Sequence, residues 1–216
     1  YTKNKKCHIM MKILEDIDSY YTNKIKEFGS TPKGVDWNGE NSQFTRFIQV
    51  SKIINSNSFS INDIGCGYGK YFEYLKKNFQ SFTYTGYDLS EEMIKNANTL
   101  YKNTEANFIK IENLSQIKQA DYSIASGIFG VKMQYSKTQW LSYILTTLEK
   151  MNEKSSKGFA FNMLTMYSDK EYMKDNLYYA DPLFIFDYCK KNFSKQVSLL
   201  HDYGIYEFTI LLRKDI

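Results

Sequence analysis

Residues 61–70 read Ile-Asn-Asp-Ile-Gly-Cys-Gly-Tyr-Gly-Lys, with glycine at every second position between an apolar run and a helix-forming one. Glycine is needed where the main chain turns sharply or where a ligand lies against it. A helix beginning near Lys70 would aim free N–H groups and the positive end of its dipole at that turn, which suits a carboxylate or phosphate. Gly65, Gly67 and Gly69, introduced by Asp63, therefore read as a nucleotide-type cofactor site. A dinucleotide loop needs G-x-G-x-x-G, and its third glycine would fall on Lys70. A second acidic residue, Asp88, closes the next apolar run, where it can accept both ribose hydroxyls of an adenosine. Asp63 admits two readings, a ligand contact or a brace for the loop. Cys66 reads as a small packing group rather than a nucleophile.

These residues need a frame. Ile13, Leu14, Ile17, Tyr20, Tyr21, Ile25 and Phe28 recur at helical spacing from Met11 to Phe28, and Gly29 ends the helix. A loop over 30–41 follows, then a helix carrying Phe44, Phe47, Ile48, Ser51 and Ile54. Strands are expected at 59–64, 82–87, 106–111, 122–125 and 158–164, and helices at 70–79, 90–101, 137–152 and 181–191. A closing pair, 196–203 and 206–212, flanks Gly204. Such alternation implies a doubly wound, mostly parallel α/β sheet that binds its ligand at the strand carboxyl ends.

With the loop Asp63 to Gly69, the run Tyr84-Thr85-Gly86-Tyr87-Asp88-Leu89-Ser90-Glu91-Glu92-Met93 and the segments 107–114 and 120–129, the chain resembles the class I S-adenosylmethionine-dependent methyltransferases over roughly 59–213. The resemblance implies a Rossmann-like sheet of seven strands with a reversed last strand, under an N-terminal helical lid. It divides the chain into 1–10 (a leader or remnant), 11–57 (the lid) and 58–216 (the cofactor-binding domain). It implies S-adenosyl-L-methionine as cofactor and S-adenosyl-L-homocysteine as product. By position, Asp63, Gly65, Cys66, Gly67 and Gly69 form the loop, and Asp88 meets the ribose. Leu89 and Met93 pack on adenine, Glu112, Asn113 and Leu114 meet its edge, and Ser126 and Gly127 line the sulfonium. Where the family often has Gly-Asp, this chain has Ile111-Glu112.

The acceptor is expected beyond the same strand ends. Candidate substrate contacts are Phe129 after the fourth strand, Asn162 and Tyr167 after the fifth, and Tyr203 at the last turn. On the N-terminal arm, Trp37 offers an aromatic face to a cation and Arg46 a fork for an anion. His201 is the candidate general base, because a histidine near neutral pKa can take a hydroxyl proton. No Asn/Asp-Pro-Pro-aromatic turn of the nucleic-acid amino methylases occurs at 126–129. A small-molecule acceptor methylated on oxygen is therefore expected. Segments 34–38, 161–169 and 199–213 resemble methyltransferases of bacterial surface-polysaccharide (capsule) gene clusters, implying a sugar or phosphate-type precursor. The alternatives are a nicotinamide oxidoreductase and a catalytically silent cofactor-binding protein.

Bulk properties narrow the classes. The 216 residues carry 28 basic and 24 acidic side chains, a net charge of +4, too mild for a nucleic-acid binder. Three cysteines without a C-x-x-C pair argue against a disulfide framework or a metal site and fit a reducing compartment. No run approaches the ~20 apolar residues of a membrane span. A soluble, cytoplasmic protein is expected; its oligomeric state is not legible.

Overall fold

The structure, a computed structural model, describes residues 2–37 and 39–214, with side chains from residue 8 onward. Asn38, at the end of the arm named above, lies outside the described residues. Helices α1 (Thr2–Phe28) and α2 (Glu40–Ser51), joined through a 3-10 turn at Pro32–Val35, precede an alternation of strand and helix. That alternation runs β1 (Ser58–Ile64), α3 (Lys70–Asn78), β2 (Ser81–Asp88), α4 (Glu91–Leu100), β3 (Asn107–Lys110), β4 (Ala120–Ala125), α5 (Lys137–Lys154), β5 (Ser155–Leu164), α6 (Pro182–Asn192), β6 (Gln196–Leu200) and β7 (Glu207–Arg213).

The seven strands form one sheet in the order β3-β2-β1-β4-β5-β7-β6. Every neighbouring pair is parallel except those made by β7, which runs against both β5 and β6. The order reverses between β1 and β4, the switch point at which a doubly wound sheet opens a crevice. In the parallel register Asp63 faces Gly86 on one side and Ile124 on the other, so the carboxyl ends of β1, β2 and β4 emerge together.

Local chemistry fixes the elements. Ser90 caps α4 by accepting from Met93 N at 3.3 Å, and Ser136 opens α5 in a capping box with Gln139. Asp181 caps α6, with Pro182 in its first turn. Both faces of the sheet are buried: Ile124, Phe159, Ala160, Phe161 and Ile210 have no exposed surface. Burial of this kind contributes about 25 cal/mol per Å² of apolar area.

Two boundaries differ from the sequence reading. The first helix continues back to Thr2 with no break at Met11, and Ile9 and Met10 pack against the central core. Strand β6 ends at Leu200, so His201 and Tyr203 stand in the connecting loop rather than on a strand.

Candidate active site

The glycine turn after β1 is built for close approach. Gly65, Gly67 and Gly69 all adopt positive φ, of 74°, 54° and 86°, which L side chains rarely adopt. A Cβ on Gly65 would lie 2.2 Å from Ile128, and one on Gly67 would lie 2.9 Å from Val35. Asp88, at the end of β2, braces this turn: Gly67 N donates to its Oδ2 at 2.9 Å and Ser90 N to its Oδ1 at 2.9 Å. Burial pushes the Asp88 carboxyl up to about 6, against the lowering by these N–H groups. Asp63 is 3% exposed and accepts from Tyr84 Oη at 2.7 Å. Burial pushes its carboxyl up to about 7.

Two connected cavities open at the strand ends. The first, about 680 Å³, runs past Gly65, Gly67 and Asp88 between Leu89, Met93, Ile111 and Leu114 on one wall and Ser126 and Gly127 on the other. The N-terminal segment also lines it, with Leu14, Ile17 and Tyr21 of α1 and then Val35 and Trp37. The second, about 1710 Å³, lies beyond Gly127 and is lined by Arg46, Asn162, Lys174, Tyr206 and Glu207 among others. Tyr21, Val35, Trp37 and Gly127 belong to both.

A chain of contacts ties this partition together. Gly127 N donates to Asn162 Oδ1 at 3.0 Å, and Asn162 Nδ2 donates to Glu207 Oε2. Glu207 Oε1 accepts from Arg46 Nε at 2.8 Å and from Nη2. The Arg46 guanidinium lies over the Trp37 ring, and Trp37 in turn meets Gly127, where an added Cβ would be 2.4 Å from the indole. The N-terminal segment, β5, β7 and the turn after β4 are thus joined through five residues.

Of the expected cofactor contacts, Gly65, Gly67, Asp88, Leu89, Met93, Leu114, Ser126 and Gly127 line the first cavity. Gly69 does not: it precedes α3, and a Cβ there would strike Phe108 and Tyr101, so its role is helix packing. The Cys66 thiol is buried against Gly86, and burial raises its pKa, as befits a packing group. Glu112 and Asn113 do not line the first cavity either. Their N–H groups donate to Gln116 Oε1 at 2.7 and 3.2 Å, and both side chains face an adjoining groove. Ile111 takes that wall instead.

On the acceptor side, Trp37, Arg46 and Asn162 line the second cavity as expected, whereas Phe129, Tyr167, Tyr203 and His201 do not. Phe129 is 1% exposed, packed on Tyr143 and Phe161, and its carbonyl accepts from Trp140 Nε1 at 2.8 Å, so it belongs to the core. Tyr203 is tied to Thr209 at 2.9 Å. His201 is exposed, its ring set against Tyr167 and Phe208, and it reaches neither cavity. A general base must stand within hydrogen-bond reach of the proton it takes, and His201 stands outside both cavities. The sequence reading missed Tyr21, Val35 and Tyr143 in the first cavity and Lys174 and Glu207 in the second. Helical spacing already placed Tyr21 on the buried face of α1, which was the available signal.

Residues 61–151 match the family described as a methyltransferase domain. The Mycobacterium tuberculosis H37Rv candidate methyltransferase Rv1506c is 48% identical over 165 residues, covering 76% of this chain and 98% of that protein. The chain belongs to the methyltransferase family. That membership displaces the nicotinamide oxidoreductase reading, in line with Lys70 in place of a third dinucleotide glycine.

Solved methyltransferases share the fold. Magnesium protoporphyrin IX methyltransferase from Synechocystis PCC 6803 with bound SAM superposes with a TM-score of 0.57 at 15% identity, over 81% of this chain and 80% of that one. The plantazolicin methyltransferase BpumL, in complex with a pentazolic desmethylPZN analog and SAH, gives a TM-score of 0.60 at 18% identity, over 95% and 100%. The acceptors in these names differ, so they fix none for this methyltransferase and do not carry the surface-polysaccharide assignment. No helix among the described residues is long and apolar enough to cross a membrane.

Proposed function

We propose that this methyltransferase transfers a methyl group from S-adenosylmethionine to an oxygen of a small-molecule acceptor seated in the second cavity. The methyl donor is S-adenosylmethionine, whose sulfonium supplies an already activated electrophile and whose product is S-adenosylhomocysteine. The first cavity fits such a group: two glycines leave room for the main chain to approach it, a half-buried carboxylate stands at the β2 tip for a ribose diol, and apolar side chains flank an adenine. Asp88, Gly65, Gly67, Leu89, Met93, Ile111 and Leu114 would hold it. Alignment rather than activation is then what the chain must provide.

The observation that carries the reading is the shared partition. Trp37 and Gly127 border both cavities, so a donor in the first and an acceptor in the second meet across one wall. The Trp37 face is also a favourable neighbour for a sulfonium cation.

The sequence resemblance offers two acceptor oxygens, a sugar hydroxyl and a phosphate-type oxygen. The second cavity favours an oxygen that arrives ionised. Its two carboxylates are already engaged: Asp36 accepts from Tyr20 at 2.7 Å and pairs with Lys24 at 2.9 Å, and Glu207 is held by Arg46 and Asn162. Neither is free to take a hydroxyl proton. Lys174 adds positive charge, Arg46 keeps Nη1 unpaired beyond its ion pair, and Tyr172, Tyr179 and Tyr206 add ring surface. With an anionic oxygen an O–C bond forms, the S–C bond breaks, and no proton has to leave.

Calorimetric titration tests the donor. S-adenosylhomocysteine should bind in preference to NAD, and Asp88→Ala should weaken it at least tenfold, the scale of charge-assisted hydrogen bonds. Preference for NAD, or full affinity in Asp88→Ala, refutes the assignment. Label transfer from methyl-labelled donor to sugar phosphates, but not to the matching neutral sugars, tests the acceptor class. Donor binding without transfer to any acceptor in such a screen would return the chain to a silent cofactor-binding role.

A further inference from the structure

Gln43 lies on α2, outside the span that matches the methyltransferase domain family. It is 3% exposed; its amide meets the Tyr68 hydroxyl, while its side-chain oxygen is buried without a hydrogen-bond partner. Buried polar atoms are nearly always satisfied, and an unpaired one calls for a physical reason such as a ligand. A second unpaired atom, Ser126 Oγ, lies at the turn after β4. Gln43 and Ser126 line one void of about 350 Å³ with Asp63, Gly65, Gly67 and Lys70. That void shares Val35, Trp37, Gly65, Gly67 and Ser126 with the first cavity.

The void is rich in acceptors. An amide oxygen only accepts, a serine hydroxyl can accept, and an ionised carboxylate keeps lone pairs beyond the one bonded to Tyr84. Lys70, the cation at the same wall, is paired with Glu73 at 2.8 Å and Glu40 at 3.7 Å, which balances its charge. A group with several N–H donors and a positive charge fits, and on S-adenosylmethionine that group is the α-ammonium. We infer that Gln43 determines cofactor specificity: its side-chain oxygen, with Ser126 Oγ and Asp63, receives the α-ammonium of the cofactor's amino-acid end. The inference rests on the donor reading above and adds α2 to the cofactor-binding surface.

Three probes test it by calorimetry: S-adenosylhomocysteine, its analogue lacking the α-amino group, and 5′-methylthioadenosine, which lacks the whole amino-acid end. Gln43→Leu should weaken S-adenosylhomocysteine about tenfold, the scale of a hydrogen bond to a charged group, and leave 5′-methylthioadenosine within about twofold. The wild-type preference for S-adenosylhomocysteine over the desamino analogue should shrink by the same factor. Equal loss for all three probes, or unchanged S-adenosylhomocysteine affinity, overturns the inference and leaves the donor reading standing. Failure of the wild type to bind S-adenosylhomocysteine or 5′-methylthioadenosine overturns both. Should Gln43→Leu lose the wild-type circular dichroism, Gln43→Glu takes its place: a carboxylate there should widen the preference for the amino-bearing ligand, and a narrowed preference overturns the inference.

Discussion

The Arg46 guanidinium stands 4.0 Å from the centroid of the Trp37 ring. The same guanidinium donates to Glu207 Oε1, so one cation holds an aromatic of the α1–α2 connection and a carboxylate of β7. Both partners of this pair are largely buried, at 14% and 8% side-chain exposure. Removing one partner of a buried pair leaves an uncompensated charge and costs about 3–5 kcal/mol. Glu207→Ala is expected to lower the unfolding free energy by about 3 kcal/mol in urea melts. It should also shift tryptophan emission to the red: of the two tryptophans Trp140 is fully buried, so Trp37 is the one newly wetted. Arg46→Lys, which keeps the charge but loses the planar fork and stack, should show a smaller version of both changes. Unaltered emission in both variants would show that the pair does not hold Trp37.

Gly127 marks the partition between the cavities. Its φ is +85°, and a Cβ there would lie 2.4 Å from the Trp37 ring. Gly204 supplies the matched control, with φ +72° and nothing within 4 Å of an added Cβ. Both alanine variants should lose about 1–2 kcal/mol from the left-handed backbone alone. Only Gly127→Ala should displace Trp37 and weaken S-adenosylhomocysteine, by roughly tenfold if the displaced contact is worth about 1.4 kcal/mol. Calorimetry on the two variants decides it, and equal affinities would remove Gly127 from the cofactor wall.

His201 gives a negative expectation with equal content. Its ring packs on Tyr167 and Phe208 at the surface, outside both cavities. His201→Ala should leave S-adenosylhomocysteine affinity and methyl transfer within about twofold of wild type, a surface substitution costing no more than about 0.5 kcal/mol. A hundredfold fall in transfer with unchanged affinity would reinstate it as a base.

The donor half of the site was legible because it is local. Asp63 to Gly69 and Tyr84 to Asp88 each lie within one strand and its exit, so glycine spacing and a terminal carboxylate carry the signal. The sheet was legible for the same reason, since each strand and helix announces itself by period. The acceptor half is assembled from distant parts: Arg46 and Glu207 are 161 residues apart in the chain, and their pairing follows from the reversed β7. Sequence spacing could flag Arg46 as a fork but not Glu207 as its partner. Phe129 and His201 stand outside the cavities for opposite reasons. Each sits just past a strand end, yet one turns into the core and the other out to water, which spacing alone does not decide. Glu112 and Asn113 stand off the first cavity where Gln116 takes their N–H groups, a local 3-10 cap that spacing does not reveal.

Asp63 sets a pH dependence whose sign can be worked out. Its carboxyl stands at about 7 in the folded chain through burial, against about 4 in an unfolded one. Between those values the folded state holds a proton that the unfolded state has lost, so stability falls as pH rises from about 4 to 7. Asp88, pushed up to about 6, acts in the same direction over the lower part of that window. Asp63→Asn keeps the shape and the acceptor for Tyr84 but cannot ionise. The variant should therefore be more stable than wild type without ligand at pH 8, by an amount on the order of 4 kcal/mol, with the difference shrinking steadily as pH falls toward about 4. Ligand affinity should run the other way. If the Asp63 carboxylate faces the α-ammonium, S-adenosylhomocysteine should bind wild type more tightly as pH rises from 6 to 8, while the asparagine variant binds weakly at both. Urea melts and calorimetry at pH 5, 6, 7 and 8 separate the two effects. A wild-type affinity flat across that range, with stability still falling, would make Asp63 a brace for the loop and nothing more.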